Sequence, residues 1–577
     1  MSMVVQTPNS AVAEESQNTG IGTEVQQKQS RGWRFWLVFP GLCFAMLLAA
    51  LDTSVVATAL PTIIEQLNSG SLYIWMINGY FVGIAAVQPM YGQAADIFGR
   101  RWPMILSVSL FSLGSGLCGG ANSTVMLIVA RIIQGFGAGG IFSLVSIIVA
   151  DLVPLRERQK FMSIIQSFFA LGSFIGPVIG GVIVTHTSWR WVFYINLPIG
   201  GVSLVMLFVF LKMKHRRIGT VTERLRRVDF PGHAILIASV VSILIPLTWG
   251  GTTYDWSSYH VLVPLLLGFA GLFLFGGYEV LLAKELASIP SRLFGNPVSI
   301  IGYLMTFFHG ICMAWLSFFL PLYFQVLLEV SPEMSGVYLL ATVISLMPAG
   351  IAGGWFIAMT GRYKPALLLG WCLFALGAGL LTLLDSKSSP ARWIIFQIIS
   401  GLGGGIILTT TIPAIQASLP EKDVALATAT WSFIRSLGTI WGGAIPAAIF
   451  NSRFDSLLNR IDNPAVRTLL SSGGAYEHAT ANFIQGFNGD LELKGQVIQV
   501  YTESSRRVWQ ILIAFTLVAV PLALAIKEIE LRKTLETEFG LEQPKSADAG
   551  TEAVGVVFSG AREKEYGCNT VSSSSSK

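Results

Sequence analysis

The sequence predicts an all-α polytopic membrane protein: fourteen transmembrane helices, arranged as two six-helix bundles with two further helices inserted between them. Three observations carry that expectation. The chain has 577 residues, 53% hydrophobic and only 12% charged, with a mean hydropathy of +0.62; soluble domains carry about 25% charged residues. Its apolar residues lie in runs of the length a bilayer crossing requires, about 20 residues each. Two parts of the chain also repeat one another, at separations of 262 and 266 positions.

The spans are expected to begin near Trp36, Ile74, Pro103, Val125, Phe161, Trp191, Phe230, Val261, Val298, Met334, Pro365, Trp393, Val424 and Val508. An even number places both termini on one side. Basic residues follow helix two (Arg100, Arg101), helix four (Arg156, Arg158, Lys160), helix six (Lys212, Lys214, Arg216, Arg217, Arg224, Arg226, Arg227) and helix ten (Arg362, Lys364). The loops after helices one, three, seven and nine contain no Lys or Arg. Short basic loops stay in the cytoplasm, so both termini are expected there. The resulting division is 1–34, a disordered cytoplasmic tail; 35–211, the first bundle; 212–297, a cytoplasmic loop with inserted helices seven and eight; 298–527, the second bundle with a long external loop at 451–507; and 528–577, a second disordered tail.

The repeat is local and specific. Gly92–Pro103 reads GQAADIFGRRWP and Gly354–Pro365 reads GWFIAMTGRYKP, sharing Gly, Gly-Arg and Pro at the same offsets, 262 positions apart. RIIQGFGAGG at Arg131 faces QIISGLGGGI at Gln397, 266 apart, and at that same separation Pro154, Gly172 and Gly176 face Pro420, Gly438 and Gly442. Parallel repeats of this kind belong to transporter architectures with a midplane site between the halves.

Several classes are excluded. The net charge of +5 fits basic cytoplasmic loops and gives no sign of nucleic-acid binding. The five cysteines form no CxxC pair, which speaks against a zinc ribbon or a disulfide framework. The polar first ~30 residues lack a signal-peptide pattern, so the first helix is expected to act as its own insertion signal. GSGLCG at Gly114 and GFGAGG at Gly135 match GxGxxG but lie inside spans, away from any strand–turn–helix context. GxxxxGK[ST], HExxH and GxSxG do not occur. No enzyme, cofactor or metal is expected, and a gradient is expected to supply the energy.

The chemistry-bearing candidates are few. Asp52 follows the apolar run Phe35–Leu51; a carboxylate in a bilayer costs at least about 2.5 kcal/mol and marks function by default. By helical rise it lies about 24 Å from Trp36, and Arg131 lies about 20 Å from the cytoplasmic side, a similar depth. Burial favours a protonated carboxyl and a nearby cation favours an ionised one, so such a pair can load and release a proton. A static ion pair, or an Asp52 at the outer interface, is the alternative. In the cytoplasmic turn, Gly92 and Gly99 permit close approach and reversal. Asp96 can accept from a helix N-terminus or from Arg100 or Arg101, as a latch that one conformation holds and the other breaks. The second copy carries Ala358 in place of Asp96. In GSFIGPVIGG, Gly172, Gly176, Gly180 and Gly181 suit close packing and Pro177 suits a bend; plain helix packing is the alternative. His309 and Arg435 each lie about 16 Å into their helices and are candidates for substrate or proton contact, although a satisfied interior histidine accounts for His309 well. Trp75, Tyr80, Gln88 and Gln134 are further candidate cavity residues.

Taken together, GQAADIFGRR, RIIQGFGAGG, GSFIGPVIGG and LDTSVVATALP resemble the motifs of the major facilitator superfamily, and more narrowly its fourteen-spanner drug:proton antiporters of fungal type. SWRWVFYINLPIG and LTWGGTTYDWSS resemble that branch as well, and the likeness covers about residues 35 to 530. The resemblance implies an alternating-access exporter of an amphipathic small molecule, such as a drug, toxin or secondary metabolite, driven by inward proton flow. It implies that Asp52 and Arg131 take part in proton coupling and that the Gly92–Arg101 turn gates the cytoplasmic side. Ser54 and Ala57 depart from the commoner Thr and Asn without touching proton coupling. A plasma-membrane location and a monomer as the working unit are expected. Vacuolar transport of amino acids, a siderophore-type role and a non-transporting nutrient sensor are the competing readings.

Overall fold

The computed structural model describes residues 33–67, 73–213, 220–250, 254–283, 286–471 and 473–532. The two expected tails, 1–34 and 528–577, fall almost wholly outside them. Fourteen helices of fifteen residues or more follow one another in the described chain: α1 Trp33–Leu67, α2 Tyr73–Phe98, α3 Arg101–Gly119, α4 Thr124–Leu152, α5 Leu155–His186, α6 Asn196–Phe210, α7 Phe230–Trp249, α8 Tyr259–Tyr278, α9 Pro297–Leu327, α10 Pro332–Thr360, α11 Lys364–Leu381, α12 Pro390–Ala417, α13 Val424–Leu457 and α14 Leu491–Ala525. Twelve of the described helical segments are long and apolar enough to cross a membrane; α2 and α5 are not among them. No β-strand element occurs among the described residues.

Local chemistry sets the helix ends. The Ser123 hydroxyl accepts from Met126 N to start α4, the Asn296 side chain accepts from Ser299 N before Pro297 opens α9, and the Asp490 carboxylate accepts from Leu493 N to start α14. Each satisfies a helix-end N–H that has no partner within the helix. Gly99 and Gly361, 262 positions apart, both take positive φ, at 81° and 72°. Only glycine adopts that turn without strain, which is why the Gly-Arg pair recurs.

The packing repeats as the sequence does. In the first half α1 packs on α5, α2 and α3 on α4, and α1 and α3 on α6. Eight helices on, α9 packs on α13, α10 and α11 on α12, and α9 and α11 on α14. Glycines set the contact points. A Cβ on Gly139 would meet the Ile84 carbonyl, and one on Gly405 would meet that of Leu346. Between the halves, a Cβ on Gly92 would collide with Ala429, and one on Gly354 would press on Gln159 and Ser163. Ser163 and Ala429 are again 266 apart, so α2–α13 and α10–α5 are equivalent seams. One large core joins α9, α11, α12, α13 and α14 around Trp315, Phe319, Trp371, Phe374 and Tyr501; another joins α1–α5 around Phe39, Phe111 and Phe161. On α8, Leu266, Leu267, Phe273, Leu274 and, just beyond it, Leu281 and Leu282 stay exposed, a face suited to lipid.

Three boundaries differ from expectation. α1 runs unbroken to Leu67, so Asp52 sits in mid-helix. The sixth span is broken: a turn at Trp191–Tyr194 precedes α6, with Asn196 at the restart. The segment 451–507 is largely helical. α13 continues to Leu457, short helices cover Pro464–Leu470, Gly474–Glu477 and Ala481–Gln485, and α14 begins at Leu491. The early turns of α14 are polar, which hides them from a hydropathy reading. Their buried residues Leu493, Val497, Val500, Tyr501 and Ser504 nevertheless form one helical stripe.

Candidate functional site

Asp52 is fully buried and Arg131 is 2% exposed. Arg131 Nη1 donates to Asp52 Oδ2 at 2.5 Å and to Gln134 Oε1 at 2.7 Å, and its Nε donates to the Met76 carbonyl at 3.2 Å. Gln134 Nε2 donates to Asp52 Oδ1 at 2.7 Å and to Ser115 Oγ at 2.9 Å. Asn196 Nδ2 donates to the same Asp52 oxygen at 2.9 Å and to Ser115 Oγ at 2.8 Å. The Tyr80 ring lies 4.2 Å from the Arg131 guanidinium carbon, within range of a cation–π contact. Five helices thus converge on one carboxylate, and all three side chains bonded to it are donors. The cluster satisfies an ionised Asp52; adding a proton removes an acceptor from a site built of donors and weakens the Arg131 pair. A buried pair repays its desolvation only when its hydrogen bonds are this complete.

The cluster belongs to one half alone. Gly172 packs against the Leu47 carbonyl as Gly438 packs against that of Phe307, which aligns α1 with α9 at a shift of 260. Cys312 therefore stands opposite Asp52, while Gln397 and Ser400 stand opposite Arg131 and Gln134 at the 266 shift. The repeat supplies the scaffold and the first half supplies the charge.

Sequence reasoning placed Asp52, Arg131, Tyr80 and Gln134 among the candidates, and the structure brings these four together. It missed Asn196 and Ser115. Asn196 had a signal, an amide inside the apolar run SWRWVFYINLPIG; Ser115 had none apart from a helix of small residues. Trp75 does not join the cluster and packs edge-on against Trp249 of α7 at 6.5 Å. Gln88 is buried on α2, with its Oε1 unpartnered. His309 is buried with its ring Nε2 3.1 Å from the Gly404 carbonyl. Arg435 lies over the Trp431 ring at 5.7 Å.

At the turn after α2, Arg100 is the hub. Its Nη1 donates to Asp96 Oδ1 at 2.9 Å and to the Ala95 carbonyl at 2.7 Å, while its Nε donates to Asp151 Oδ2 on α4 at 2.6 Å. Arg101 turns away, donating to the Phe208 carbonyl at 2.7 Å and lying over Trp102 and Phe208. On the same side, Arg158 at the start of α5 reaches across to the other half. It donates to Glu421 Oε1 at 2.5 Å and to Gln416 Oε1 at 3.0 Å. Arg532, beyond α14, bonds the Gln416 and Leu419 carbonyls. Asp151 and Glu421 were not among the expected gate residues.

The α5 glycines separate into two kinds. Gly172 and Gly176 pack against α1, where Ser54 Oγ also donates to the Gly172 carbonyl at 3.2 Å; a Cβ on Gly181 would meet open space. Gly180 is buried, and α5 continues as one helix through Pro177. Gly172→Ala forces a methyl onto the Leu47 backbone and is expected to cost about 1–3 kcal/mol, whereas Gly181→Ala changes stability by less than about 0.5 kcal/mol. Thermal unfolding of both purified variants checks the contrast. A surface groove of about 530 Å³ is lined by Ile344, Met347, Pro348, Ile351, Ala352 and Trp355 of α10 alone and offers no chemistry.

Fold and site together define a polytopic membrane transporter built on a repeated six-helix plan. Residues 42–443 match the family model described as Major Facilitator Superfamily, and the chain belongs to that family. It is 46% identical over 513 residues to the MFS-type efflux pump LUC4 of a Fusarium species, covering 89% of this chain and 91% of that one. It is 44% identical over 547 residues to the efflux pump FUS6 of Gibberella moniliformis, covering 94% and 97%. Among solved structures it resembles a double-tryptophan mutant of XylE, with a TM-score of 0.55 at 12% identity over 86% of this chain and 97% of that one. It also resembles the human organic anion transporter MFSD10, with a TM-score of 0.54 at 15% identity over 85% and 100%. The last two show the fold alone.

Proposed function

We propose that this chain exports a small organic compound in exchange for protons by alternating access, with Asp52 as the proton-carrying group. The observation that carries the reading is the Asp52–Arg131–Gln134–Asn196 cluster: an ionisable group at mid-membrane, bonded only by donors and present in one half of a repeat. Protonation releases Arg131 from Asp52, and α1 and α4 rearrange. The Arg100 hub and the Arg158–Glu421 pair hold the cytoplasmic side shut and open in the alternate state. The efflux-pump relatives support the direction of transport.

In this reading α2 and α5 also cross the membrane, giving fourteen spans, because both line the seams between halves where polar residues face protein. The division is two six-helix bundles, α1–α6 and α9–α14, with α7 and α8 inserted. The basic turns and both termini are cytoplasmic, the membrane is the plasma membrane, the working unit is a monomer and the branch is that of the drug:proton antiporters.

Arg158→Gln is expected to raise maleimide labelling of Ala429→Cys, in a chain stripped of its five cysteines, by about tenfold or more, since losing a buried charged partner exceeds the 1.4 kcal/mol that tenfold requires. Unchanged labelling removes the latch role. The reading as a whole is tested by metabolite profiles of host cells with and without the chain. Export predicts a compound that accumulates inside and vanishes from the medium on deletion; falling intracellular stores point to vacuolar loading or import.

A further inference from the structure

Arg435 is the exception among the interior arginines. Arg100, Arg131 and Arg158 each hold a carboxylate. The Arg435 side chain, eleven residues into α13, makes no hydrogen bond and no ion pair among the described residues and lies over the Trp431 ring. Its own turn is clamped in place: a Cβ on Gly310 would come within 2.5 Å of the Arg435 carbonyl, so α13 meets α9 beside His309. The helix is packed against α2, α4, α7, α9, α12 and α14. The residue nevertheless keeps partial exposure. No carboxylate pairs with it among the described residues. α9 and α12 contain no Asp or Glu, α13 has only Asp455 near its far end, and Asp52 is committed to Arg131. His309 is engaged with the Gly404 carbonyl. The repeat offers Phe169 at the equivalent place, so the scaffold does not require a cation here.

An unpaired cation at this depth is costly and marks a pathway for substrate or ions. A guanidinium presents a planar fork of donors that matches two coplanar oxygens sharing one negative charge. We infer that Arg435 binds an acidic group of the transported compound, a carboxylate or an ionised vinylogous acid, while the Trp431 ring packs on its apolar body. This rests on the export reading above and adds a substrate class to it. It requires no covalent step: the anion pairs with Arg435 in one state of the cycle and is released to water in the other.

The test uses the full chain in host cells and in membrane vesicles. Compounds retained on deletion are identified, and export of each is compared with that of its uncharged methyl ester in wild type, Arg435→Gln and Arg435→Lys at matched membrane abundance. The expected result is an acidic compound whose export KM rises about tenfold or more in Arg435→Gln, the order that follows loss of a charged partner. Arg435→Lys is intermediate, and the ester is indifferent to both. A chain-dependent compound with no acidic group, or an acid whose KM ignores Arg435→Gln, overturns the inference and leaves export standing. If no compound depends on the chain, both readings fall.

Discussion

Asp52→Asn abolishes export driven by a proton gradient while leaving gradient-independent exchange of labelled for unlabelled substrate intact. Asparagine keeps the shape and one acceptor oxygen for Gln134 and Asn196, so the pocket around α1 persists. It cannot carry a proton, and it leaves Arg131 without a counter-charge. Removing one member of a buried pair costs about 3–5 kcal/mol, so the variant also unfolds at lower temperature. The double variant Asp52→Asn/Arg131→Gln, with no stranded charge, recovers part of that stability and none of the coupling. This separation of stability from transport distinguishes a proton carrier from a static ion pair. If the double variant regained proton-driven export, the couple would be structural.

The second large effect is at Arg100. It is buried and bonds Asp96, Asp151 and the Ala95 carbonyl at once. Arg100→Leu breaks the buried Arg100–Asp151 pair and is expected to cost about 3–5 kcal/mol. Arg100→Lys falls between, because one ammonium cannot reproduce a guanidinium's fork across two carboxylates. Arg101→Ala, one residue on, is expected to stay near the range of about 0.5 kcal/mol usual for surface changes, since Arg101 holds no carboxylate and its contacts are a carbonyl at an exposed site and the Trp102 and Phe208 rings. Unfolding curves of the three purified variants rank them. Equal effects at Arg100 and Arg101 would mean that the turn is only a topological anchor.

What the sequence disclosed, and what it hid, follows from the range of the interactions. Helix starts at Phe230 and Val424 coincide with expectation because hydropathy is a local signal. The repeat was legible because glycines at helix crossings cannot be replaced without collision, as at Gly92 and Gly405. Asp52 and Arg131 stood out because a charge in an apolar run has no other excuse. Asn196, Ser115, Asp151 and Glu421 did not, because their roles arise from partners 19 to 263 positions away, and uncharged or helix-end polar residues raise no alarm in a linear reading. The early turns of α14 were missed for the opposite reason: an amphipathic face is diluted when hydropathy is averaged over a window.

The most direct test of the central claim is proton movement itself. Purified protein in liposomes, with a pH-sensitive dye inside, is given an outward substrate gradient at equal pH on both sides. The exchange mechanism predicts that substrate leaving the lumen draws protons in, so the lumen acidifies, and that Asp52→Asn eliminates this signal. Substrate efflux with no change in lumenal pH, or with the same change in Asp52→Asn, would contradict it.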